Sequence, residues 1–210
     1  MTKLERNSFV YGCGYWTARV ALTLLFRIRA WGAEKVPPRG GVLLASNHQS
    51  FADPLIVGTP LPRQACYMAR RTLFGVPLLR WVIRAVGAFP VDRGGVDRRA
   101  MRAAVDLMRL GEAVVVFPEG TRTPDGELKP FTAGFALLAA QARVPIVPVA
   151  IHGAFDAWPR QHRLPRPGRV HVAYAEPVGP PGRGKGACRE VAEEVWRRVA
   201  ALQEELKQKD

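Results

Sequence analysis

The chain begins with a long apolar stretch and changes, after Trp31, to short apolar runs set between segments of helical periodicity. From Phe9 to Phe26 the only charge is Arg19. Wound as a helix, Arg19, Thr23 and Arg27 fall along one polar stripe, while Phe9, Cys13, Trp16, Val20 and Leu24 run along another face. The stretch is just long enough to span a bilayer. Arg19 lies mid-segment, however, where insertion costs about 2.5–3.5 kcal/mol, and Gly12, Gly14, Thr17 and Thr23 dilute the hydrophobicity. Arg19 also interrupts any signal-peptide apolar region. The pattern predicts a helix lying in the headgroup region, with Tyr11, Tyr15, Trp16 and Trp31 at the boundary and Arg27 and Arg29 toward anionic lipid. A helix packed on the domain's own core would show the same periodicity and stays open as an alternative.

Beyond Trp31, Val42-Leu43-Leu44-Ala45 reads as a buried strand after the turn-forming Pro37-Pro38-Arg39-Gly40-Gly41, and it leads straight into Ser46-Asn47-His48. Helical text follows from Pro54 and again from Leu73 to Val86. Asp97 is placed to cap a helix that Gly111 stops, with Met101, Ala104, Val105 and Met108 as its apolar stripe. Ala113 to Phe117 is continuous and β-branched, as a strand covered on both faces requires, and it ends at Pro118-Glu119-Gly120. A helix over 133–142, strands over 146–151 and 169–175, and a final helix from Ala187 complete the pattern. In that last helix Val191, Val195, Val199, Leu202 and Leu206 recur at helical spacing, with Glu193–Arg197 and Glu194–Arg198 as supporting pairs. Strands alternating with helices imply an α/β fold.

A length of 210 residues suits one domain. The expected architecture is therefore a single α/β domain over 32–210, with a central mixed sheet flanked by helices, preceded by a membrane-interface helical segment over 1–31. With 31 Lys and Arg against 18 Asp and Glu, the net charge of +13 points to anionic partners. Lipid surfaces, phosphorylated substrates, acidic carrier proteins and nucleic acid all qualify, but no nucleic-acid recognition motif is present, so no nucleic-acid partner is expected. Cys13, Cys66 and Cys188 are odd in number and far apart, against a disulfide framework or a zinc site, and no metal is expected. Gly179 to Lys185 matches most of a phosphate loop, yet Pro180 and Pro181 lack the N–H groups of such a cradle, and Gly186 stands where a magnesium-binding Ser or Thr belongs.

The candidate chemistry lies in Asn47-His48-Gln49-Ser50-Phe51-Ala52-Asp53. In a continuous helix, positions five apart are rotated by about 140°, so His48 and Asp53 can meet only across a turn. Asp53-Pro54 supplies one, because Pro favours the first helical position and Asp is a good cap before it. A carboxylate that holds an imidazole fixes its tautomer and stabilises its cation, as a base needs when it takes a proton from an attacking hydroxyl. Taken alone, the pair reads more readily as a helix cap beside a turn histidine.

Four ordered blocks add to it: Asn47-His48 with Asp53; Gly87-Ala88-Phe89-Pro90-Val91-Asp92-Arg93; Phe117-Pro118-Glu119-Gly120-Thr121-Arg122; and Val144 to Ile151. Together they resemble the glycerolipid acyltransferase family, in particular its lysophosphatidic acid acyltransferases, over about residues 30 to 178. The resemblance implies that His48, oriented by Asp53, deprotonates a glycerol hydroxyl of lysophosphatidic acid. That hydroxyl then attacks an acyl thioester on coenzyme A or acyl carrier protein to give phosphatidic acid, with no cofactor beyond this co-substrate. It also assigns Arg93, Glu119, Gly120, Thr121 and Arg122 to the acceptor. The two arginines suit bidentate phosphate binding, and Gly120 allows close backbone approach. Glu119 suits a glycerol hydroxyl or an arginine, or forms a structural ion pair. The family commonly has Lys after the Phe downstream of the third block, where this chain has Thr132 after Phe131; Lys129 is a candidate replacement. Another lysophospholipid or glycerol 3-phosphate is the alternative acceptor, and a non-catalytic basic binder is the remote one. The expected location is the cytoplasmic face of the cell membrane, monotopic or peripheral.

Overall fold

A computed structural model describes residues 9–75, 80, 83, 87–91, 97–162, 164–182 and 184–209. Helix α1 (Phe9–Phe26) leads into β1 (Arg29–Trp31), followed by β2 (Val42–Ser46), α2 (Asp53–Gly58), β3 (Ala65–Arg70) and β4 (Ala88–Val91). Then come α3 (Arg98–Arg109), β5 (Ala113–Val116), α4 (Gly134–Ala142), β6 (Ile146–His152), α5 (Ala154–Ala157), β7 (His171–Tyr174) and α6 (Lys185–Lys207).

The seven strands form one sheet in the order β1-β7-β6-β2-β5-β3-β4. Every pairing is parallel except β6 with β7, so the sheet is mixed, as expected. The continuous apolar runs are explained by cover on both faces. Leu43, Ala45, Val114 and Val116 pack on one side with Val105 and Met108 of α3, Phe135 and Leu138 of α4, and Val195 and Val199 of α6. Val42, Leu44, Ala113 and Val115 face the other side, with Phe26 of α1, Ile56 and Val57 of α2, and Ala154 of α5.

The ends of α3 follow the sequence signals. Asp97 accepts from the N–H groups of Arg99 and Ala100, and Gly111 adopts the left-handed φ of 87° that lets the chain leave the helix. Other expectations need correction. Strand β3 was not anticipated, and the start of the expected 73–86 helix is a 3-10 turn over Arg71–Gly75; the rest of that segment falls mostly outside the described residues. Pro148 sits within β6, opposite Ala45 of β2, and its carbonyl accepts from Ala175 N at 2.9 Å. In α6, Glu194 takes both Arg197 and Arg198, each at 2.7 Å, so Arg197 is drawn to Glu194 rather than Glu193.

Candidate active site

Strands β2 and β5 are parallel neighbours at the centre of the sheet. After β2 the chain turns to α2 on one face; after β5 it turns to α4 on the other. The loops part at the carboxyl ends of the strands and open a crevice, where open α/β sheets place their ligands. His48 follows β2 and Phe117 follows β5, and their rings stack with centroids 4.0 Å apart.

The first block meets across a turn, as its spacing required. His48 Nδ1 lies 2.8 Å from Oδ2 of Asp53, which is fully buried. The same oxygen accepts the backbone N–H of Gln49 (2.5 Å) and of Ser50 (2.7 Å). The expectation that Asp53 caps its helix fails. It is the first residue of α2, behind Ala52 at the cap, and its carboxylate folds back because two peptide donors and the imidazole converge on it. With Oδ2 purely an acceptor, the ring proton belongs on Nδ1, leaving Nε2 a lone pair for base chemistry. The imidazole side chain keeps 17% of its surface exposed, so a substrate can reach it.

The third block grips the histidine's backbone. Glu119 Oε1 accepts from His48 N at 2.9 Å, and Thr123 N donates to the His48 carbonyl at 2.8 Å. Burial, reinforced by the negative charge of Asp53, pushes the Glu119 carboxyl up to about 7 against the N–H bonds it accepts. Gly120 takes a left-handed φ of 74° with open space where a Cβ would be, and Thr121 is exposed beside it. Arg122 sits over Phe51, its Cζ 3.4 Å from the ring centroid, and Phe51 leans on Trp158. A guanidinium held over an aromatic face keeps its charge beside the crevice, where it can attract an oxyanion.

Sequence reasoning left several of these residues without a role. Asn47 bonds both peptide groups of Ile151, Nδ2 to the carbonyl at 2.9 Å and Oδ1 from the N–H at 2.8 Å, which ties the first block to the fourth. Thr123, Phe51, Phe117 and Trp158 had no signal beyond their neighbours in sequence. Thr132 donates its hydroxyl to the Pro118 carbonyl at 3.0 Å, so it stitches the third-block loop. Lys129 pairs with Asp125 at 2.7 Å. Arg93 lies outside the described residues. Among the described residues, no group of three His, Cys, Asp or Glu side chains could hold a metal ion.

A buried carboxylate orienting a reachable imidazole, next to a basic rim, equips the crevice for general-base attack by a substrate hydroxyl. The family model for acyltransferases matches residues 27–152, and the chain belongs to that family. Its relatives narrow the class. A 1-acyl-sn-glycerol-3-phosphate acyltransferase of Bacillus subtilis is 29% identical over 161 residues, covering 76% of this chain and 78% of the relative. The alpha form from Mus musculus is 32% identical over 160 residues, covering 74% of this chain and 56% of the relative. The crystal structure of the 1-acyl-sn-glycerophosphate acyltransferase PlsC from Thermotoga maritima aligns with a TM-score of 0.77 at 29% identity, covering 96% of this chain and 83% of that one.

Proposed function

We propose that this protein transfers a fatty acyl group from a thioester, on coenzyme A or an acyl carrier protein, to the free hydroxyl of lysophosphatidic acid, giving phosphatidic acid. The observation that carries the reading is the His48–Asp53 pair at 2.8 Å, set beside a rim that holds Arg122. His48 Nε2 takes the hydroxyl proton as the oxygen bonds to the thioester carbonyl carbon. The C–S bond then breaks, and the imidazolium returns its proton to the departing thiolate. The substrate supplies the nucleophile, so no protein serine is needed. Purified protein given lysophosphatidic acid and a labelled acyl thioester should form labelled phosphatidic acid. Faster acylation of glycerol 3-phosphate or another lysophospholipid would reassign the acceptor, and no transfer to any of them would sink the reading.

A lipid acceptor is met at a membrane surface, and the exposed apolar side of α1 supports the reading of a peripheral or monotopic attachment on the cytoplasmic face. Val20 is 54% and Leu24 73% exposed on its outer side, while Phe26 is buried in the core. Among the described residues, no helix is long and apolar enough to cross a membrane. Because Phe26 belongs to the core, point changes test this better than truncation. The double change Val20→Asp and Leu24→Asp should release the protein from anionic vesicles while leaving its thermal unfolding unchanged; undiminished co-sedimentation would move the anchor elsewhere.

A further inference from the structure

We propose that the groove along the outer face of α4 docks a protein-borne acyl donor, an acidic carrier that lays an amphipathic helix into it. This rests on the acyl-transfer reading above and names the partner that supplies the thioester. Helix α4 (GFALLAAQA) carries no charge, and helices apolar on every side are ordinarily enclosed. Its inner face is buried, yet Leu137 on the outer face is 47% exposed. Leu137, Ala133 and Ala140 help to line a groove of about 1180 Å³.

The charged residues around this apolar floor are all of one sign. Arg109 ends α3, Arg143 follows α4, and Lys185 and Arg189 come from the start of α6; all four are exposed, and no described carboxylate lines the groove. Lys185 and Arg189 sit at the end of α6 where the helix dipole disfavours cations, and no acidic residue stands in that first turn. The free protein therefore carries an electrostatic cost that an anionic partner offsets, and an apolar strip flanked by acid complements the groove.

Other occupants fit less well. A free nucleotide could pair its phosphates with the four cations but has no apolar strip to cover the floor at Leu137. A bilayer seated on Val20 and Leu24 meets α1, which packs on the opposite face of the sheet. A second copy would bring another +13 of net charge against the same four cations. None of the active-site residues lines the groove, but one end of it approaches them. It starts at Ala133, next to Thr132, whose hydroxyl holds Pro118 in the loop that grips His48. A carrier lying along α4 can thus present its thioester from one face of the sheet while the acceptor arrives from the other.

The test compares palmitoyl-acyl carrier protein with palmitoyl-CoA, each with lysophosphatidic acid, for the full chain and two variants. In Lys185→Glu with Arg189→Glu, and separately in Leu137→Asp, KM for the carrier-borne donor should rise about tenfold or more with kcat retained. KM for palmitoyl-CoA should stay unchanged in both. The wild-type KM for the carrier should also rise with salt. Equal changes for both donors, or no change for the carrier, overturn the proposal. A wild type that uses palmitoyl-CoA but not the carrier overturns it while leaving the acyl-transfer reading intact. Inactivity with both donors removes the two together. If Leu137→Asp unfolds, the double charge reversal decides.

Discussion

The turn 47–53 and the loop 119–122 face each other across one crevice. In the turn Asn47, Gln49, Ser50 and Asp53 are buried, and Asp53 alone gathers an imidazole and two peptide donors. In the loop Gly120 and Thr121 are exposed, and Arg122 rests on an aromatic shelf, whereas Glu119 turns inward to the histidine's backbone. The difference separates two tasks. A base must be aimed to within tenths of an ångström, so its supports are short, buried and redundant. A phosphate of a lipid arriving from a membrane needs charge and room, so its rim is open.

If the turn carries the chemistry and the loop the binding, their variants should split cleanly between kcat and KM. The largest effect belongs to His48→Ala, which should lower kcat by about 10²–10⁴-fold without altering the fold. Transfer at a near-normal rate would take His48 out of the mechanism. Asp53→Asn should approach that loss, because an amide neither favours the Nδ1–H tautomer nor stabilises the imidazolium. It should also lower the melting temperature, since charge-assisted bonds from Gln49 and Ser50 become ordinary ones. Arg122→Ala comes next. Losing a charge-assisted phosphate contact of about 1.5–3 kcal/mol should raise KM for the phosphate-bearing acceptor roughly 10- to 100-fold, with kcat far less affected. An Arg122→Ala enzyme that lost kcat at constant KM would erase the division between turn and loop.

What the sequence made legible was local. The strand into His48, the turn that brings Asp53 within reach, and the helix bounded by Asp97 and Gly111 all follow from neighbours a few residues apart. Strand β3 was hidden because Ala65-Cys66-Tyr67-Met68-Ala69-Arg70 has no β-branched residue; pairing with β5 and β4 makes it a strand. The backward fold of the Asp53 carboxylate was equally hidden, since cap and turn acceptor share one sequence signature. Least legible were the long-range clamps. Glu119 reaches a backbone N–H 71 positions away and Asn47 a strand 104 positions away. Backbone partners leave no trace in residue identity, so Glu119 was assigned only to the acceptor or to an ion pair.

Glu119 gives the smallest and most discriminating test, because it belongs to the loop by sequence and to the turn by contact. Its carboxyl, raised to about 7 chiefly by burial, is more costly to ionise in the folded chain than in the unfolded one. The sign follows: stability linked to this group is fully present below the ordinary carboxylate value of 4.5 and is lost as pH rises through about 7. Glutamine mimics the protonated acid and still offers an oxygen to the His48 N–H. Glu119→Gln should therefore match the wild type near pH 5 and unfold at a progressively higher temperature than it toward pH 8, with kcat changed only a few-fold. Glu119→Ala has no acceptor to offer, so it should lose about 1–3 kcal/mol at any pH and lower kcat as the histidine loosens. Melting curves across that range decide the point. Wild-type and Gln profiles that stay parallel would mean Glu119 is not a buried clamp on the base, and its place would then return to the acceptor rim.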